Sequence, residues 1–159
     1  MNNENRIVLT PRGYEKIVRE LERLRTVERR EVAERIRESK QFGELTENAE
    51  YDDAKIEQAF LEGRIQDLKH VMQIAIVLRD EDIPVDEVGL GSIVTVLDID
   101  ENEEWEFTLV GSVESDPDND MISDESPIGE ALLGRKVGDE VVVKIPDGKI
   151  RYRIERIRK

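Results

Sequence analysis

The chain has no cysteine and only one histidine in 159 residues. Disulfide staples, thiol nucleophiles and thiolate metal sites are therefore excluded, and the lack of cysteine fits a reducing compartment. His70 has no second histidine to join it at a metal and falls off the apolar positions of its segment, so it reads as a surface residue. No stretch reaches the apolar length that a membrane span needs. The opening Met1-Asn2-Asn3-Glu4-Asn5-Arg6 is polar, with no apolar segment behind it. A cytoplasmic protein without membrane contact is expected. Gly-rich phosphate loops, a nucleophile elbow and a His-based triad are also missing, which argues against a self-contained hydrolase or NTPase. Asp98, Asp100 and Asn102 begin like a calcium loop, as do Asp116, Asp118 and Asp120. The sixth position is Glu103 or Met121 where such loops need Gly, and both are rejected.

What is present is charge, unevenly spread. Residues 1–80 hold 15 basic and 17 acidic side chains, whereas residues 81–159 hold 9 and 21. This asymmetry supports two units with different partners. The second half would be repelled by nucleic acid and suits a basic protein surface. Solubility alone explains the excess equally well.

The first unit is organised about a mirror point. Tyr14, Ile17, Leu21 and Leu24 are spaced as a heptad core, and so are Leu61, Ile65, Leu68, Met72 and Ala75. Leu24 mirrors Ile65, Leu21 mirrors Leu68, Ile17 mirrors Met72 and Tyr14 mirrors Ala75, all about a point between Glu44 and Leu45. Each pair joins an a position to a d position, as antiparallel helices require. The spacing predicts a helical hairpin roughly 45 to 50 Å long at the α-helical rise. Thr10 is its N-cap and Pro11 its first helical residue. Its tip is Phe42-Gly43-Glu44-Leu45-Thr46-Glu47-Asn48, with Thr46 or Asn48 capping a second helix that runs to about Leu78. Two features do not fit smoothly. Gly13 weakens the first turn with no reason visible in the sequence. Around Thr26 to Arg30 the heptad is poor, since Glu28 would sit opposite Leu61, and a local irregularity is expected there.

Beyond Arg79-Asp80-Glu81-Asp82-Ile83-Pro84 the period changes to two. Ile93–Ile99, Trp105–Leu109, Val141–Ile145 and Ile150–Ile157 read as strands, and Pro146-Asp147-Gly148 as a turn. Ser126-Pro127 to Gly134 reads as a short helix with a Ser cap, Pro at the first position and Gly at the end. The expected fold is α+β in two domains: an N-terminal antiparallel coiled-coil hairpin over residues 1–80, then a small antiparallel sheet with one covering helix over residues 81–159.

Glu44 and Glu47 are the leading chemical candidates because they flank the mirror point. Two carboxylates can share a hard cation such as Mg²⁺, but they make an incomplete site that another body must finish. Acids at the start of a helix also favour its dipole, and that reading stays open. Lys40 and Lys55 lie at similar depth behind the tip and could meet a phosphate backbone, or simply be solvated.

The tip run Gly43-Glu44-Leu45-Thr46-Glu47-Asn48-Ala49-Glu50-Tyr51, with Ala54-Lys55 and Glu62-Gly63-Arg64-Ile65 behind it, resembles the bacterial Gre transcript-cleavage factors of GreA type. So do Leu9-Thr10-Pro11-Arg12-Gly13 at the start, and Ile122-Ser123 and Ser126-Pro127-Ile128 through Ala131-Leu132-Leu133-Gly134 later. The resemblance implies an FKBP-like fold for the second domain. It implies a monomer whose hairpin enters the secondary channel of bacterial RNA polymerase while the second domain docks at the rim. Glu44 and Glu47 match the carboxylates that help hold the polymerase's Mg²⁺ during cleavage of backtracked RNA. Lys40 and Lys55 match basic positions near the extruded RNA, and Ser126 and Pro127 fall in the docking segment. The family usually has Asp where this chain has Glu44, and Pro is common where it has Arg30. These departures keep a second reading in view, a Gre-like regulator that blocks the channel without cleavage. A third is a hairpin chaperone or FKBP-like isomerase.

Overall fold

The computed structural model describes residues 7–42 and 48–159. Its contacts group the chain into two compact units. One holds the described residues up to Gly13 together with Ile76–Lys159, the other Tyr14–Ala75. This grouping differs from a division at residue 80. Strand β1 (Ile7–Leu9) pairs with β2 (Ala75–Val77), Leu78 N–H donates to the Leu9 carbonyl at 2.8 Å, and Glu114 reaches back to Thr10.

The hairpin unit is built from α1 (Pro11–Arg23), α2 (Arg29–Ser39) and α3 (Ala49–Ile74). Ile17, Leu21 and Leu24 are buried on one arm, and Leu61, Ile65 and Leu68 on the other, as the mirrored heptads predict. Between α1 and α2 lies one π-helical turn, Leu24–Glu28, in which Arg29 N–H donates to the Leu24 carbonyl. The irregularity expected here has a simple cause. A straight heptad from Leu24 would continue at Glu28, Glu31, Arg35 and Glu38, all charged. A π turn absorbs one extra residue. The seam then resumes at Val32, Ile36 and Ser39. Val32 and Ser39 are 2% and 3% exposed and Ile36 is half-buried, while Glu31, Arg35 and Glu38 face solvent. The backbone yields locally so that the apolar residues stay in register.

Helix α3 ends at Ile74, not near Leu78. Ala75 turns extended and opens β2. The expected seam pair of Tyr14 with Ala75 therefore lies past the end of the helix. Gly13 also finds its reason. The Glu114 carboxylate accepts hydrogen bonds from Thr10 N–H at 2.9 Å and from the Thr10 hydroxyl at 2.6 Å, and a Cβ on Gly13 would stand 1.9 Å from that carboxylate.

The sheet has five strands in the order β5-β4-β3-β7-β6: β3 (Ile93–Asp98), β4 (Glu103–Val110), β5 (Met121–Ser123), β6 (Glu140–Ile145) and β7 (Gly148–Arg158). Neighbours are antiparallel except β5, which runs parallel to β4. The sheet is thus mixed where an antiparallel one was expected. Gly111–Asp120 does not close a hairpin. It folds through two 3₁₀ turns and a left-handed Asp120 back beside the last residues of β4, where Thr108 N–H donates to the Asp120 carbonyl at 2.9 Å. Along β7 the buried residues are Ile154 and Ile157, three apart. A bulge opposite Thr95 and Val96 absorbs the odd residue, so both reach the core. Helix α4 (Pro127–Leu132) packs Leu132 onto a core of Val94, Val96, Phe107, Leu109, Val143 and Ile154.

Candidate functional site

Among the described residues three cross-helix ion pairs join the two arms of the hairpin. Glu20 meets Arg64 at 3.1 Å. Beyond the π turn, Arg29 grips Glu62 with two hydrogen bonds of 2.8 and 2.9 Å. Arg35 bonds to Glu57. The hydrogen bond to Arg29 lowers the Glu62 pKa below the ordinary carboxylate value and raises that of Arg29, and the bond to Glu57 raises that of Arg35. These groups are solvated, so their value is orientation more than stability.

The arms are clasped where they approach the tip. The Asn48 side-chain oxygen caps α3 by accepting from Tyr51 N–H at 3.2 Å. Its amide group donates to the Ser39 carbonyl. One asparagine thus starts the second helix and ties it to the end of the first. Of the two caps considered from sequence, Asn48 serves, and Thr46 lies outside the described residues. The heptad spacing does not reveal the clasp. Its only signal is an asparagine whose two ends can bond in opposite senses.

Glu44 and Glu47 also lie outside the described residues. They belong to the segment that connects Ser39 to Asn48. Lys40 is exposed in a 3₁₀ turn (Lys40–Phe42), and Lys55 is exposed on α3 with its ammonium donating to Gln58 at 3.1 Å. The groove between the arms here is lined by Arg35, Glu38, Glu50, Asp53 and Glu57. Among the described residues no three metal-ligating side chains converge.

In the sheet unit, Ser126 is the N-cap of α4. Its hydroxyl donates to the Ser123 carbonyl at 2.6 Å and accepts from Gly129 N–H at 3.1 Å. Pro127 beside it is exposed. Gly129 allows this approach, since a Cβ there would stand 2.1 Å from the Ser123 carbonyl oxygen. Charge divides this half of the sequence. Residues 80–134 carry 18 acidic and no basic side chains, whereas residues 135–159 carry 9 basic and 4 acidic. The acidic part includes β3, β4, β5 and α4, and the basic part β6 and β7. Arg151–Asp100 and Arg158–Glu106, each 2.8 Å, join the two, and these hydrogen bonds lower the pKa of both acids. No described helix is long and apolar enough to cross a membrane.

Residues 7–77 match the family described as transcription elongation factor, N-terminal, and residues 83–159 match the family described as transcription elongation factor, GreA/GreB, C-term. A protein of Thermoanaerobacter pseudethanolicus named transcription elongation factor GreA is 54% identical over 153 residues, covering 96% of this chain and 98% of its own. One of the same name from Acetivibrio thermocellus is 51% identical over 159 residues, covering 100% of both chains. The crystal structure of GreA factor homolog 1 of Thermus thermophilus is 31% identical, covers 98% of this chain and 100% of its own, and has a TM-score of 0.45.

Proposed function

The chain belongs to the GreA/GreB family of transcription elongation factors, and from that premise we propose that its hairpin enters the secondary channel of bacterial RNA polymerase and assists cleavage of backtracked RNA. The observation that supports this reading is the clasped hairpin. Asn48 bonds to Ser39 and ion pairs join the two arms behind it, and in the sequence Glu44 and Glu47 fall between these two clasped residues.

On this reading the chemistry belongs to the polymerase, and the chain is not itself an enzyme. Mg²⁺ shared with the polymerase would supply charge stabilisation at the attacking and leaving oxygens. Glu44 and Glu47 supply hard oxygen donors and can accept a hydrogen bond from the attacking water, which orients it. Two carboxylates do not complete a hexacoordinate site, so the chain binds no such ion stably alone. Lys40 and Lys55, both exposed, are set to meet the phosphates of the extruded RNA 3′ end. Ser126 presents the segment that docks at the channel rim: its hydroxyl proton is already donated within the α4 cap, and exposed Pro127 makes the contact.

Adding the protein with Mg²⁺ to a stalled, backtracked complex should release short 3′ RNA fragments. Glu44→Ala or Glu47→Ala should abolish release and leave binding intact. Retained release in both variants would remove the tip from the mechanism. The channel-blocking reading is favoured by one feature, Glu44 in place of the usual Asp. Its signature is slowed nucleotide addition with no fragments.

A further inference from the structure

Helix α3 carries a second apolar stripe, on the side away from the seam. Leu61, Ile65 and Leu68 are buried, whereas Ile56 and Phe60 are 56% and 76% exposed. Helical spacing puts Ile56, Phe60, Gly63 and Asp67 along one line, about 100° or more around the axis from the seam. With Ala59 and Arg64 they line a shallow groove. Scattered exposed apolar residues need no explanation. Gly63 makes this group different. A glycine weakens the middle of a helix, and a Cβ at Gly63 would meet nothing within 4 Å. Packing inside the chain does not call for it. Close approach of another backbone does.

Charge selects the occupant. Asp67 lines this groove, and Asp53, seven positions before Phe60 on the same line, stands at the edge between it and the groove of the arms. The cross-helix ion pairs use Glu20, Glu57 and Glu62 and leave both aspartates aside, while Arg64 in the groove is held by Glu20. A nucleic acid would meet repulsion from these acids. So would a second copy of the chain. Antiparallel pairing about Phe60 sets Asp53 against Asp67, and parallel pairing sets each against itself. A protein surface with an apolar side chain between basic ones complements the stripe.

Resting on the reading that the hairpin enters RNA polymerase, we propose that this stripe docks on a protein segment of the polymerase, with Phe60 as the apolar anchor, Asp53 and Asp67 facing basic side chains, and Gly63 admitting the partner's backbone. The surface differs from the tip and from the α4 segment, and it fixes how deeply and at what rotation the hairpin sits.

The test is the affinity of the full-length chain for RNA polymerase, measured for the parent and for Phe60→Ala, Asp67→Lys, Gly63→Ala and Glu44→Ala. Phe60→Ala and Asp67→Lys should each weaken binding at least tenfold with unchanged melting temperature. Gly63→Ala should melt higher and bind more weakly. Glu44→Ala should keep its affinity and lose fragment release. Affinity of Phe60→Ala within twofold of the parent overturns the docking surface and leaves the tip mechanism standing, whereas a parent that does not bind polymerase overturns both. A parent dimer that Phe60→Ala dissolves, or a crosslink from position 60 to RNA in place of protein, overturns the assignment of the occupant.

Discussion

Inserting one alanine after Thr26 and deleting Thr26 should have opposite consequences, because the π turn already holds one surplus residue. The insertion adds a second. It turns everything from Val27 to Ser39 by about 100° about the helix axis. Val32, 2% exposed in the parent, and half-buried Ile36 leave the seam. Burial of a Val or Ile side chain contributes about 1.5 to 3 kcal/mol, so losing one fully and one by half costs roughly 2 to 4.5 kcal/mol. Deletion removes the surplus. A continuous α-helix from Leu24 then carries Val32, Ile36 and Ser39 on the seam without a π turn. The Thr26 hydroxyl bond to the Glu22 carbonyl, 2.8 Å and exposed, is lost at little cost. Stability should stay within about 1 kcal/mol of the parent, the size of one ordinary hydrogen bond. Urea unfolding followed by far-UV circular dichroism separates the two variants, and hydrogen exchange over Arg29–Ser39 locates the loss. A harmless insertion, or a deletion as damaging as the insertion, would refute the phase argument.

Other perturbations probe the remaining contacts. Gly13→Ala gains helix propensity of about 1 kcal/mol but displaces the Glu114 carboxylate from two charge-assisted bonds of about 1.5 to 3 kcal/mol each, so thermal unfolding should show net destabilisation. Gly129→Ala drives a Cβ into the Ser123 carbonyl and should lower stability by about 1 to 3 kcal/mol or more, seen as a lower Tm with α4 resonances shifted. The pKa values of Glu62, Asp82, Asp100 and Glu106 are all lowered by folding, chiefly through arginine hydrogen bonds. Their contributions are present above the ordinary carboxylate pKa of about 4 and are lost as pH falls through the lowered values. Urea midpoints should therefore be flat from about pH 7 to 5 and decline below 4, and Glu62→Gln should flatten that decline.

Much of this molecule is legible because its helices and strands follow their periods. Ile17, Leu21 and Leu24, and Ile65 and Leu68, announce their burial by spacing alone, and Ser126-Pro127 with Gly134 announces α4. What was not legible depends on contacts between distant residues. Gly13 cannot be explained without Glu114, about a hundred positions away in the chain. Strands β1 and β2 are three residues each, too short to show alternation, and Ala75-Ile76-Val77 continues the helical pattern until pairing with Ile7–Leu9 draws it extended. The parallel β5 was hidden because Met121-Ile122-Ser123 follows a polar loop that gives no hint of doubling back. The irregularity near Thr26 could be foreseen from Glu28. Its form follows only when the seam is traced onward to Val32. Glu44 and Glu47 stand out in sequence by their place at the mirror point and in the Gre-like tip run.

Fragment release from a backtracked polymerase complex, with the doubly substituted Glu44→Ala, Glu47→Ala chain present in excess, is the decisive measurement. The expected result is a variant that displaces the parent from the polymerase and releases no RNA fragments. A variant that displaces the parent and still stimulates cleavage would contradict it.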